Sequence, residues 1–188
     1  MPDTPAWKED RILMDAEALQ EALRRLETDL APTLDRADAC LVGIQTGGAH
    51  LARRIAEARR ARGRTPPPLG VLDITLYRDD TFLGLQQPVV RPTSLPFDLN
   101  GRTVVLVDDV LYTGRTIRAA LDALVDFGRP KAIRLVVLVD RGLREYPIQA
   151  DHLALRAATT PNETVQVELT EMGHPQDRVV VYRREATP

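Results

Sequence analysis

Two adjacent carboxylates, Asp108 and Asp109, stand between a run of aliphatic residues and a turn of small polar ones. The stretch reads Val104-Val105-Leu106-Val107-Asp108-Asp109-Val110-Leu111-Tyr112-Thr113-Gly114-Arg115-Thr116. Its β-branched and aliphatic first part predicts a buried strand. Its last part runs into Ile117, Leu121, Leu124 and Val125, which predict a helix that Gly128 ends. In an open α/β sheet, ligands bind outside the carboxyl ends of the strands. The small residues Thr113, Gly114 and Thr116 let a phosphate approach the N–H groups of a helix N-terminus, where the dipole favours an anion. Two carboxylates beside that phosphate would repel it unless they bind something else, and sugar hydroxyls or Mg²⁺ are the natural partners. The stretch therefore points to a phosphorylated sugar. A plain strand, acidic turn and helix cap is the lesser alternative, because Asp and Thr are ordinary at helix starts. It is not a Walker A loop, since Gly-x4-Gly-Lys-Ser/Thr is absent.

Other elements must position this turn. Leu41-Val-Gly-Ile44 predicts a short buried strand, followed by the turn Gln45-Thr46-Gly47-Gly48 and a helix from about Ala49. Its backbone amides are placed to hold a second anion, and a plain βα turn is the equal alternative. Ala132 to Val139 predicts the next buried strand, with Asp140-Arg141-Gly142 at its carboxyl end. Asp15 is a helix cap for Leu19, Ala22, Leu23, Leu26 and Leu30, with Pro32 just beyond the expected end. Arg24 and Arg25 fall on the opposite face and read as a solvated surface. Met1 to Arg11 is polar and proline-bearing, which predicts fraying.

Arg59 to Arg64 followed by Pro66-Pro67-Pro68 reads as a solvated connector. Leu72, Ile74 and Leu76 alternate with Asp73, Thr75 and Tyr77, which predicts a two-faced strand. Arg78 to Asp98 has no period, as in a functional lid or a disordered loop. Val165, Val167 and Leu169, a Gly-His-Pro turn, and then Val179 and Val181 predict an antiparallel pair appended to the parallel sheet.

The 188 residues fit a single α/β domain, and 44% hydrophobic residues can bury a proper core. A formal charge of −2 and a pI near 5.9 carry no overall nucleic-acid signature, so any RNA contact needs a local patch. The single Cys40 excludes an intramolecular disulfide framework and fits a reducing cytosol. No signal-peptide pattern or membrane-spanning run occurs, so a cytoplasmic protein is expected. His50, His152 and His174 show no metal-ligand spacing, and there are no internal repeats.

The stretch around Asp108 closely resembles the phosphoribosyl pyrophosphate (PRPP) signature of type I phosphoribosyltransferases. Its form, Val107-Asp-Asp-Val-Leu-Tyr-Thr-Gly-Arg-Thr116, resembles one branch, the PyrR regulators of pyrimidine operons. The resemblance continues through Asp73 to Asp80, Ala123 to Pro130 and Leu138 to Gly142, and covers nearly the whole chain. It implies the type I fold, a mainly parallel sheet flanked by helices with a small hood. It also implies conversion of uracil and PRPP to UMP and pyrophosphate, with Mg²⁺ accompanying PRPP. A PyrR-like protein would sense UMP, UTP and PRPP, bind the leader mRNA of a pyrimidine operon, and form a homodimer or higher homo-oligomer. A salvage uracil phosphoribosyltransferase without an RNA role is the alternative, and a catalytically weak nucleotide sensor is a third.

The resemblance also implies roles. Asp108 and Asp109 are catalytic and serve the ribose hydroxyls, while Val110, Leu111, Tyr112, Thr113, Gly114, Arg115 and Thr116 form the substrate loop, its last four residues holding the 5′-phosphate. Thr46 and Gly47 face pyrophosphate, and Arg78 and Arg91, on the closing loop of about 78–98, are candidate contacts to the PRPP phosphates, with a surface role as the equal alternative. Arg141 borders the nucleotide pocket, and Val165 lies under the hood, with ordinary core as its equal alternative. Tyr112 occupies a position where purine-using relatives tend to carry Asp, which points to a pyrimidine. RNA contacts would include Arg24, Arg25, Arg144, Arg156 and Thr159. Two departures stand out. The usual Thr-Arg-Gly of the pyrophosphate loop has Gly47 at the Arg position, which removes a charge-assisted contact. Positions expected to be basic or His read Leu143, Gln149 and Leu155, which thins the RNA patch.

Overall fold

A computed structural model describes residues 7–77 and 92–185. Five strands pair in parallel, in the order β3-β2-β4-β5-β6: β2 (Ala39–Ile44), β3 (Leu69–Leu72), β4 (Thr103–Leu111), β5 (Ala132–Asp140) and β6 (His152–Arg156). Because successive side chains on a strand point to opposite faces, the aliphatic run of β4 serves two cores. Val105 and Val107 pack with α1 (Ala16–Leu34) and α2 (Gly47–Ala61). Val104 and Leu106 pack with α3 (Arg115–Asp126) on the other face. Burial on both faces explains why β4 reads as a continuous apolar run and not as an alternation.

A second sheet is antiparallel, in the order β1-β8-β7: β1 (Trp7–Met14), β7 (Glu163–Glu168) and β8 (Arg178–Arg184). The predicted pair of valine-rich strands is present as β7 and β8, with Val165 opposite Val181 and Val167 opposite Val179. It is not appended to the parallel sheet. It forms this separate sheet with β1, in which Ile12 lies opposite Val180 and Met14 opposite Val179. The expected fraying of the N-terminus is thereby corrected over residues 7–11, whose backbone is satisfied by β8 despite a polar sequence.

Three other expectations change. Helix α1 starts as predicted, with the Asp15 carboxylate accepting from the Ala18 N–H at 2.9 Å, but it continues past Pro32 to Leu34. The last turn survives because Asp35 N–H still reaches the Ala31 carbonyl at 2.9 Å. The alternation at Leu72 to Leu76 does not continue as a strand. Asp73 Oδ1 accepts from Thr75 N–H at 2.7 Å, and the chain turns into a short 3-10 helix, Thr75–Tyr77, with Leu76 exposed. Such an Asx interaction competes with the strand ladder.

Finally, Arg59 is not a solvated residue. It is 1% exposed, beside the equally buried Glu27 of α1 at 3.3 Å, and it also pairs with Asp35. Arg62 reaches the same Glu27 at 3.0 Å. This network ties the far end of α2 to α1. Cys40 lies in the core of the α3 face, where burial pushes its thiol up to about 11.

Candidate functional site

The carboxyl ends of β2 and β4 lie side by side, and each leads into a helix N-terminus. The turn after β4 is the more elaborate. Asp109 N–H donates to Asp108 Oδ1 at 3.0 Å, and Val110 N–H donates to Asp109 Oδ1 at 2.8 Å. Asp108 is buried and Asp109 half-buried at the end of the strand. Burial pushes the Asp109 carboxyl above its usual range.

Three successive carbonyls then turn towards the segment after β5. Leu111 C=O accepts from Arg141 N–H at 3.0 Å. Tyr112 C=O accepts from Arg144 Nη1 at 2.5 Å. Thr113 C=O accepts from the N–H groups of both Glu145 and Tyr146 at 2.9 Å. Gly114 then adopts φ +93°, the left-handed conformation that favours glycine, and α3 begins. A side chain at 114 would also crowd Tyr146, whose Cβ would lie 3.1 Å away. The Arg115 guanidinium is drawn outward to Glu145 at 2.7 Å and over the Tyr146 ring. What Arg115 offers to the turn is its backbone. With the carbonyls engaged behind, a helix N-terminus flanked by the hydroxyls of Thr113 and Thr116 is suited to an anion.

Arg141, at the carboxyl end of β5, is buried and stacks on the Tyr112 ring with its guanidinium carbon 3.9 Å from the centroid. It donates to Thr159 Oγ1 at 3.2 Å and to the Glu163 carbonyl of β7. The turn after β4 is thus joined to the antiparallel sheet through one guanidinium. Val165, two residues further along β7, is 6% exposed and packed in the core shared with α1 and α2.

The turn after β2 is built differently. The Gln45–Thr46 peptide is cis, and α2 begins at Gly47 without a first-turn acid. Thr46 is half-buried and Gly47 and Gly48 are buried. The next side chain over Gly47 is Asp109. Arg78 and Arg91 lie outside the described residues, as does 78–91 of the expected closing loop; Ser94 of its remainder bridges to Val71 of β3.

The residues expected to meet RNA do not form one free patch. Arg24 and Arg25 are exposed on α1, with Arg24 paired to Glu21 at 3.0 Å. Arg24 borders a depression of about 770 Å³ between α1 and α2, away from the carboxyl edge of the sheet. Arg156 is exposed on the rim of a second depression of about 650 Å³, beside Arg141 and Arg144. Arg144 itself is committed inward: besides Tyr112 it donates to Ile148 C=O at 2.9 Å and pairs with Asp140 at 2.5 Å. Thr159 is engaged with Arg141. Sequence reasoning missed the role of Arg144 as a brace, although an Arg four residues after Asp140 at a strand end was visible. It also missed Arg54, which joins α2 to Glu171 and Asp177 beside β8.

Among the described residues no cluster of three metal-ligating side chains occurs. The hard oxygen donors at the mouth, Asp108 and Asp109, fit a Mg²⁺ that arrives with its own phosphate ligands, the usual mode for this ion. No helix is long and apolar enough to cross a membrane among the described residues.

Comparison with known proteins agrees with this geometry. The family described as "Phosphoribosyl transferase domain" matches residues 12–172. The chain is 50% identical over 179 residues to "Bifunctional protein PyrR" from Roseiflexus sp., covering 95% of this chain and 98% of the relative. It is 46% identical to the Listeria welshimeri protein of that name, covering 93% and 97%. Among solved structures it is similar to the hypoxanthine phosphoribosyltransferase of Trypanosoma cruzi, with TM-score 0.67 and 19% identity over 94% of this chain and 98% of that one. A hypoxanthine phosphoribosyltransferase from Staphylococcus aureus gives TM-score 0.67 and 18% identity, covering 92% of each chain. At these identities the solved structures speak for the fold alone. The chain belongs to the phosphoribosyl transferase domain family and, within it, to the PyrR family.

Proposed function

We propose that this protein regulates a pyrimidine biosynthesis operon by binding its leader mRNA when uridine nucleotides are plentiful, and that it also converts uracil and PRPP to UMP and pyrophosphate. The observation that carries the enzymatic half is the turn after β4, with two carboxylates at a strand end and a helix N-terminus whose preceding carbonyls are held away. Transfer breaks the bond between ribose C1 and pyrophosphate and forms one to uracil N1, which loses its proton. Positive charge builds on the sugar and negative charge on the leaving group. The chain needs no covalent nucleophile; it must orient the ribose, hold the charges and exclude water.

Thr113 to Thr116 hold the 5′-phosphate through backbone N–H and hydroxyl donors. Asp108 and Asp109 accept from the ribose hydroxyls and favour the developing positive charge. Arg141 on Tyr112 gives the base a rigid wall, and Val165 belongs to the packing behind it. Thr46 and Gly47 meet pyrophosphate, with Arg78 and Arg91 as further phosphate contacts. Mg²⁺ bound with PRPP supplies charge neutralisation for the leaving group. The working form is a cytoplasmic homodimer or higher homo-oligomer that responds to UMP, UTP and PRPP.

For RNA the first helix offers Arg24 and Arg25, with Arg156 as a separate contact. The internal commitment of Arg144 and Thr159 favours a second reading, a salvage enzyme without an RNA role. The Arg24→Ala/Arg25→Ala variant separates the two. A regulator would lose leader affinity and salt slope, since each phosphate contact adds to that slope, while UMP formation is spared. RNA binding unchanged at several salt concentrations would remove the first helix from the interface.

A further inference from the structure

Resting on the nucleotide reading above, we infer that Gly47 and Asp109 together weaken the pyrophosphate half of the site, so that this chain holds UMP much more tightly than pyrophosphate. Two helix N-termini open at neighbouring strand ends, one for each phosphate-bearing end of PRPP. They are not equal. At α3 the Gly114 turn, the outward carbonyls and the hydroxyls of Thr113 and Thr116 all favour an anion. At α2 the first two residues are glycines and offer no side-chain donor.

The two glycines differ in what surrounds them. A Cβ on Gly48 would overlap the Val107 carbonyl and lie 2.9 Å from Asp108 Cα, so the backbone itself demands glycine there. A Cβ on Gly47 would overlap only the Asp109 side chain, at its carboxylate and 3.0 Å from its Cβ. The space of a side chain at 47 is therefore filled by a carboxylate. That carboxylate is fixed by the Val110 N–H at 2.8 Å. A helix end presents roughly half a positive charge. A full like charge at contact distance outweighs it for an incoming pyrophosphate that brings no cation. UMP, with its single phosphate in the α3 turn, does not meet this penalty.

Asp109 thus works for the ribose and against the leaving group.

Calorimetric titration of the full chain in metal-free buffer, with UMP and pyrophosphate as separate ligands, tests this. The wild-type chain should bind UMP at least about tenfold more tightly than pyrophosphate. Gly47→Arg pushes the Asp109 carboxylate aside and adds a guanidinium, and should tighten pyrophosphate about tenfold or more, the scale of a hydrogen bond to a charged group. The ratio of pyrophosphate affinity to UMP affinity should rise by at least that factor. Asp109→Asn removes the charge without adding bulk and should tighten pyrophosphate several-fold while weakening UMP through the ribose. Wild-type pyrophosphate affinity equal to that for UMP would overturn the inference. So would unchanged pyrophosphate affinity in both variants when they still bind UMP. No UMP binding by the wild-type chain would instead overturn the nucleotide reading, and this inference with it.

Discussion

The turns after β2 and β4 have the same plan, strand to tight turn to helix, but are held in different ways. The β4 turn is braced at the ligand end: Arg141, Arg144, Glu145 and Tyr146 bind the carbonyls of residues 111–113. In the β2 unit the helix is secured further along by Arg54 and at the far end by Arg59 on buried Glu27. One unit invests its side chains in the shape of an anion site. The other invests them in joining α2 to α1 and to the antiparallel sheet. The difference teaches that a helix N-terminus alone does not define a phosphate site. What matters is where the neighbouring carbonyls and carboxylates point.

The comparison can be broken most directly at the residues shared by both turns. Asp108→Asn with Asp109→Asn should reduce UMP formation by at least about a thousandfold, the upper range for losing preorganised charge contacts. Circular dichroism should remain native. Unchanged turnover would remove both carboxylates from catalysis. At the far end of α2, Arg59→Ala leaves Glu27 buried with a weakened partner set and should destabilise the fold by about 3–5 kcal/mol in denaturant melts, the usual cost of breaking a buried pair. A loss under about 1 kcal/mol would mean that Arg62 alone satisfies Glu27, as at an exposed pair.

At the β4 turn, Arg144→Ala should weaken UMP about tenfold by releasing the Tyr112 carbonyl, corresponding to roughly 1.4 kcal/mol. An RNA-only role for Arg144 would leave UMP affinity intact and lower the RNA salt slope instead.

The smallest effect lies where the brace reaches the antiparallel sheet. The Arg11 hydrogen bond, helped by Thr160, holds the Glu163 carboxyl at about 2, below its ordinary 4.5. A depressed carboxyl stabilises the fold fully above 4.5, and this contribution is lost as pH falls towards 2. Thermal melts of Glu163→Gln should therefore show a shallower decline over that window than wild type, and a parallel decline would exclude Glu163 as a contributor.

Much of the parallel sheet was legible because its strands are buried on both faces and their aliphatic runs are unmistakable. The cap at Asp15 was legible for a local reason, a side chain bonding three residues on. Gly114 stood out only as a small residue at a strand-to-helix turn, and its left-handed backbone came from the structure. β1 was not, because Trp7 to Arg11 is polar and becomes a strand only through pairing with residues near 180. Arg59 was misread for the same reason, since its acidic partners Glu27 and Asp35 come from another element. The proposed catalytic diacid could be singled out from spacing and resemblance. The Arg144 brace and the placement of Asp109 over Gly47 could not, because both are contacts between segments far apart in sequence.

The central claim is that one nucleotide site serves both transfer and regulation. Binding of the wild-type chain to the leader RNA of the neighbouring pyrimidine genes, measured across a titration of UMP at fixed salt, tests it most directly. The account expects RNA affinity to rise with UMP over the same concentrations at which calorimetry shows the site filling. RNA affinity that does not change as the site fills, or no leader binding at all, would contradict it.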